Sequence, residues 1–189
     1  MTGTVLAFDT SAAHCAAALL SDGGILEARC EEMARGQAER LMPFLEDLLA
    51  KQGVSWRDLD RIGVGIGPGN FTGIRISVSA ARGRALGLGI PAIGISTFDA
   101  LRGGLRGTAA VPAPRGMAYV QRDDADPQLV PDKDLPPDAI RLGDGSSLVS
   151  GIARLAALRD PGFPPAPLYL RPAYAAPPRD APPVILDDA

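Results

Sequence analysis

The stretch Gly67-Pro68-Gly69-Asn70-Phe71-Thr72-Gly73-Ile74-Arg75-Ile76, continuing as a small-residue run to Leu88 and then Gly89-Ile90-Pro91-Ala92-Ile93-Gly94-Ile95-Ser96, decides the fold. Just before it, Ile62, Val64 and Ile66 alternate with small or polar residues, the period of a strand. The chain must then turn abruptly. Pro68 directs Gly67 toward an extended conformation, and Gly67, Gly69 and Gly73 allow close approaches that a side chain would forbid. Asn70 or Thr72 can cap a helix whose apolar side reads Ile74, Val78, Ala81, Ala85, Leu88. Beside that stripe lie Ser77, Ala80, Gly83 and Gly87, too short to hold another element away.

Upstream, Thr4 to Phe8, Cys15 to Leu20 and Ile25 to Cys30 read as strands, the last two joined by a turn at Ser21-Asp22-Gly23-Gly24. An amphipathic helix is expected over Gln37 to Gln52, with Pro43 loosening its first turns. A strand at Ala92 to Ile95 completes βββαβαβ over residues 1–98. Residues 99–160 form a shorter second region, with strands near Ala109 to Val111, Met117 to Gln121 and Ile140 to Leu142 and a helix from about Ser147 to Leu158. Residues 161–189 hold nine of the 18 prolines, which excludes regular helix and predicts an extended strap. There is no internal repeat.

The 189 residues are 46% apolar, enough to bury roughly 70% of the unfolded surface in one or two compact domains. No run of about 18 apolar residues occurs and the first residues do not read as an export signal, so the expected location is the cytoplasm, without a membrane span. Cys15 and Cys30 fall on adjacent strands and could approach each other; without an export signal they read as ordinary reduced residues. The net charge is -3 and no Lys/Arg cluster forms a patch, so contact with tRNA or any other nucleic acid is expected only through a partner.

Asp9-Thr10-Ser11 follows the first strand, where a carboxylate can hold a hydrated magnesium ion and hydroxyls can touch a phosphate; satisfying its own turn is the competing role. The glycine turn is not a Walker loop, because Gly73 is followed by Ile74-Arg75 rather than Lys and Ser/Thr. Its spacing also misses the dinucleotide fingerprint. His14 is the only histidine, so no paired-histidine zinc site exists and any Ser-His-Asp triad would need that one residue, which reads as a polar turn position. Asp144-Gly145-Ser146-Ser147 reads first as a helix cap.

Val5 to Ser11 (VLAFDTS), Gln37 to Leu49 (QAERLMPFLEDLL) and above all Gly65 to Ser96 resemble the TsaB (YeaZ) family, over about the first hundred residues. The resemblance implies the α/β fold of actin, sugar kinases and heat-shock ATPases (ASKHA), two lobes each built on a mixed sheet, here with a shortened second lobe. It also implies a non-catalytic scaffold for TsaD, which places a threonylcarbamoyl group on tRNA, together with the ATPase TsaE. A homodimer is expected in isolation, with ATP and magnesium, if present, at a partner interface and no metal of its own. The implied docking surface pairs the two helices with the same pair on a partner, through Leu41, Leu45, Leu48, Ile74, Ser77, Val78, Ala81 and Ala85. The loop leading into the second helix contributes Gly67, Gly69, Phe71, Thr72, Gly73 and Arg75. Such a contact would bury on the order of 1,200 to 2,000 Å². Part of the stripe must instead cover the lobe's own sheet.

Two departures matter. Gln37 stands where relatives often carry His, which leaves a protease reading without ligands. Pro112-Ala113-Pro114-Arg115-Gly116 replaces an acidic stretch expected to grip phosphates. The competing reading is a stand-alone ATP-dependent enzyme of the same fold using Asp9, with Thr10 and Ser11 as further nucleotide contacts.

Overall fold

The structure, a computed structural model, describes residues 3–162 and 164–170; the expected strap beyond Leu170 lies outside the described residues. The first lobe opens with β1 (Val5–Asp9), β2 (His14–Ser21) and β3 (Gly24–Glu32), followed by α1 (Gln37–Lys51), β4 (Arg61–Gly65), α2 (Phe71–Leu88) and β5 (Ala92–Ile95), the βββαβαβ order read from sequence. The sheet runs β3-β2-β1-β4-β5. β1–β2 and β2–β3 pair antiparallel, while β1–β4 and β4–β5 pair parallel.

The central strands read as nearly continuous apolar runs because both sheet faces are covered. One face (Leu6, Phe8, Cys15, Ala17, Leu19, Ile62, Val64) packs on Leu41, Leu45, Leu48, Ile74 and Val78 of α1 and α2. The other (Val5, Ala7, Ala16, Ala18, Leu20, Ile93, Ile95) packs on Leu148, Val149, Ile152, Ala153 and Ala156 of α4 (Gly145–Leu158). That corrects the expected boundary at residue 98: α4 covers the first sheet's second face rather than belonging to the second lobe. A two-faced sheet needs two helical layers, and α1 and α2 supply only one. The alternation also separates the cysteines. Ala16, not Cys15, pairs with Cys30, and the two thiols lie on opposite faces.

α3 (Thr97–Arg102) leads to β6 (Thr108–Ala113), β7 (Met117–Arg122), β8 (Gln128–Pro131) and β9 (Ile140–Arg141), in the order β8-β7-β6-β9. This sheet has a thin core: Phe98, Ala109, Val111 and Tyr119 are buried, and Leu168 and Leu170 of the returning chain pack on them. The segment 164–170 touches both lobes, because the Leu168 N–H donates to the Ile66 carbonyl at 2.7 Å.

Two turn expectations change. Gly67 adopts φ +96° rather than an extended conformation, and the Gly67-Pro68 bond is cis. His14 begins a strand and is buried. The capping expectations settle cleanly: Asn70 Oδ1 accepts from Gly73 N at 2.9 Å, and Asp144 Oδ1 from Ser147 N at 2.7 Å.

Candidate functional site

Three places could carry function: the loop after β1, the outer faces of α1 and α2, and the cleft between the lobes. The first is sealed. Asp9 and Thr10 are fully buried and Ser11 is 4% exposed. Asp9 Oδ1 accepts from Ser11 N and Ser11 Oγ, each at 2.8 Å, and lies 3.0 Å from His14 Nε2. Thr10 Oγ1 donates to the Gly73 carbonyl at 2.6 Å, and Asn70 N to the Ser11 carbonyl at 2.6 Å.

The glycines explain how the turn presses onto this loop. A Cβ on Gly73 would land on the Thr10 carbonyl, and one on Gly69 would come within 2.8 Å of Ser11 Cβ. A Cβ on Gly65 would land on Asp9 Oδ2 and 2.9 Å from its Cγ. Asp9 Oδ2 is therefore buried against Gly65 and has no hydrogen-bond partner among the described residues. The strand-turn-helix segment and the loop are locked backbone to backbone. The structure gives Asp9, Thr10 and Ser11 this locking role.

No serine relay exists here either. Ser11 and His14 both converge on one oxygen of Asp9, whereas a nucleophile-base-acid chain needs the serine on the histidine. Sequence reading missed His14 as Asp9's partner. The signal was available, since five residues separate them across the turn joining two antiparallel strands.

The second place requires a correction. Leu41, Leu45, Leu48, Ile74, Ser77, Val78, Ala81 and Ala85 are each at most 5% exposed, and seven of them form the core against the lobe's own sheet. Ser77 Oγ instead donates to the Ile74 carbonyl at 3.2 Å. These residues cannot dock another subunit: the most regular apolar stripe on a helix is the one its own sheet claims first. In the loop leading into α2, Gly67 and Gly73 are buried and Phe71 is half-buried, while Gly69, Thr72 and Arg75 are exposed.

What α2 offers outward is different. Leu86 is 85% exposed, and Cβ atoms added at Gly83 or Gly87 would meet nothing within 4 Å. Arg75, Ser79 and Arg82 share this outer face. Exposed Glu39, Pro43, Glu46 and Asp47 lie on α1, and Arg84 ties the helices together, 3.6 Å from Glu46 and stacked 4.5 Å over Trp56. Beneath them, Arg40 binds Glu31 at 2.7 Å and holds its carboxyl below the ordinary range. Cys15 sits on the inner side, its thiol pushed up to about 11 chiefly by burial.

The third place is a cleft of about 650 Å³ between Ser11, Pro68–Phe71 and Thr97 on one side and Val111–Arg115, Tyr119 and Leu142 on the other, closed by Leu168–Leu170. Among the described residues, none that lines it is acidic. With Asp9 sealed and no carboxylate among the described lining residues, these residues do not fit a magnesium-nucleotide. Among the described residues no three His, Cys, Asp or Glu side chains come together as a metal site, and no helix is long and apolar enough to cross a membrane.

Residues 17–120, more than half of the chain, match the family model described as TsaD, tRNA N6-adenosine threonylcarbamoyltransferase. The tRNA threonylcarbamoyladenosine biosynthesis protein TsaB of Escherichia coli is 37% identical over 130 residues, 64% of this chain and 56% of the relative. TsaB of Haemophilus influenzae is 37% identical over 99 residues, 52% and 41% of the two chains. The chain thus spans about half the length of these curated relatives. A solved structure of YeaZ from Pseudomonas aeruginosa superimposes with a TM-score of 0.73 at 26% identity, covering 89% of this chain and all of that one.

Proposed function

We infer function from one premise: this chain belongs to the tRNA N6-adenosine threonylcarbamoyltransferase family, in the branch of TsaB and YeaZ, with the two-lobed α/β fold that this branch implies. Its role in our reading is that of a non-catalytic subunit in tRNA threonylcarbamoyladenosine biosynthesis, working in the cytoplasm, which docks and activates a TsaD-type catalytic subunit. A TsaE-type ATPase joins the assembly, ATP and magnesium act at the partner surface, and tRNA reaches this chain only through the complex.

The observation that carries the docking proposal is the outer face of α2. Its inner face is fully used by the core, yet outside it places an 85% exposed Leu86 beside glycines with open space over them. A helix of a partner can approach such a notch to the lower end of the usual 8–10 Å range, with Leu86 as the apolar anchor. The same face is available for a homodimer. The stand-alone ATP-dependent enzyme has less support, because its required carboxylate, Asp9, is sealed behind Gly65.

The test is co-elution with the TsaD-type subunit of the same organism on a sizing column. The parent chain should co-elute; Gly83→Arg and Leu86→Glu should abolish co-elution without lowering thermal stability. Val78→Glu or Ala81→Arg would not serve, since both positions are core and the chain would unfold. Failure of the parent to co-elute, combined with magnesium-dependent ATP hydrolysis by the isolated chain, would refute the proposal.

A further inference from the structure

The cleft between the lobes is not used by the docking proposal. Its volume, about 650 Å³, lies within the range of small-molecule sites, roughly 300 to 1,000 Å³. Pro112, Leu142 and Phe71 give it apolar walls, and Phe71 stacks on Tyr169 with ring centroids 4.7 Å apart, which fixes one aromatic edge. Polar groups in the lining also remain without protein partners among the described residues. Tyr119 is only 8% exposed and lines the cleft, yet its hydroxyl makes no hydrogen bond there. Arg115 is exposed at the mouth and forms no ion pair among the described residues.

Arg115 sits in a left-handed conformation, φ +63°, followed by Gly116 at φ +69°, and the β6–β7 turn places it, exposed, at the cleft's edge. A single cation and no carboxylate among the described lining residues make a poor receptor for a triphosphate with its metal, which needs several positive groups and an oxygen ligand for magnesium. They make a good one for a single anionic group, and the apolar walls suit a flat body attached to it.

We propose that the cleft between the β6–β7 turn and the glycine turn binds a small molecule with a flat aromatic body and a single negative charge, a carboxylate or sulfonate, rather than a magnesium-nucleoside triphosphate. Arg115 pairs with the anionic group, Tyr119 donates a hydrogen bond to it or to a polar ring substituent, and the rings lie between Pro112 and Leu142. The proposal stands whether or not the outer face of α2 docks a partner.

The probe is 8-anilinonaphthalene-1-sulfonate, an aromatic monoanion whose fluorescence rises in an apolar site, titrated into the folded chain at neutral pH. Saturable binding of one equivalent is expected. Arg115→Asn keeps a residue that tolerates the left-handed turn while removing the charge, and should weaken binding about tenfold. Ala113→Phe, which fills the cleft, should abolish binding, and millimolar magnesium-ATP should not displace the probe. Thermal melts at the parent temperature confirm that both variants are folded; should Ala113→Phe unfold, Leu142→Phe replaces it. Absence of saturable binding, a folded variant that binds as the parent does, or displacement by magnesium-ATP would each overturn the proposal.

Discussion

Replacing Gly73 by alanine tests the central feature of this chain, the backbone-to-backbone lock between the glycine turn and the loop after β1. Gly73 lies in the first turn of α2, so helix propensity alone favours alanine by up to about 1 kcal/mol. The surroundings oppose it. The new Cβ would fall on the Thr10 carbonyl oxygen, 2.9 Å from the carbonyl carbon and 3.4 Å from Ser11 Cα. All three are backbone atoms, so no side chain can swing aside, and the helix and loop must separate by about 1 Å, an overpacking that typically costs 1 to 3 kcal/mol. Separation also lengthens two buried hydrogen bonds, Thr10 Oγ1 to the Gly73 carbonyl and Asn70 N to the Ser11 carbonyl, both 2.6 Å. Each contributes about 1 kcal/mol. The net is a loss of about 3 kcal/mol. With a urea m-value of about 2 to 3 kcal/mol/M, the midpoint should fall by roughly 1 to 1.5 M. Trp56, the only tryptophan, packs on the core of the first lobe and reports the transition by fluorescence. Gly83→Ala is the matched control: same helix, no neighbour within 4 Å of the added methyl, and an expected gain of about 0.5 to 1 kcal/mol. A Gly73→Ala midpoint equal to or above the parent's would refute the lock.

Three further outcomes follow from the same contacts. Asp9→Asn keeps the Oδ1 acceptor but sets an amide N–H₂ against Gly65, where Asp9 Oδ2 has no donor or acceptor beside it; a loss of about 1 to 2 kcal/mol in urea unfolding is expected, and no loss at all would mean the carboxylate is not part of the lock. Burial raises the Cys15 thiol from 9.0 to about 11, so the contribution of its neutral form is full below pH 9.0 and is lost as pH rises from there toward 11. Native-state alkylation should accordingly modify Cys30 first, and equal rates would contradict the burial of Cys15. At the acid end, Arg40 lowers the Glu31 carboxyl below its unfolded value of 4.5, so stability present above that pH declines as pH falls through the lower folded value. Glu31→Gln should flatten that decline in thermal melts between pH 5 and about 3, and an unchanged slope would remove the pair from the account.

Much of the first lobe was legible because its signals are local. The alternation at Ile62, Val64 and Ile66, the Asn70 cap and the 3.6-residue stripe on α2 depend on neighbours a few residues away, and each element formed where those neighbours placed it. Asp144 was readable as a cap for the same reason. The assignment of faces was not legible. A stripe of Ile74, Val78, Ala81 and Ala85 looks the same whether it meets its own sheet or another subunit, and only the sheet's position showed that the monomer consumes it. Leu86 falls off the stripe and is exposed.

The sequence by itself therefore determined the order of elements in the first lobe, the sharp glycine turn and the family resemblance, because periodicity, caps and glycine placement act over a few residues. Only the tertiary structure decided that α4 covers the first sheet, that Asp9 is held by His14 and closed off by Gly65, and that the outer face of α2 rather than its apolar stripe is left exposed. Those outcomes rest on contacts between residues up to about 150 positions apart, whose pairing is set by which surfaces the sheet leaves uncovered and by no local pattern.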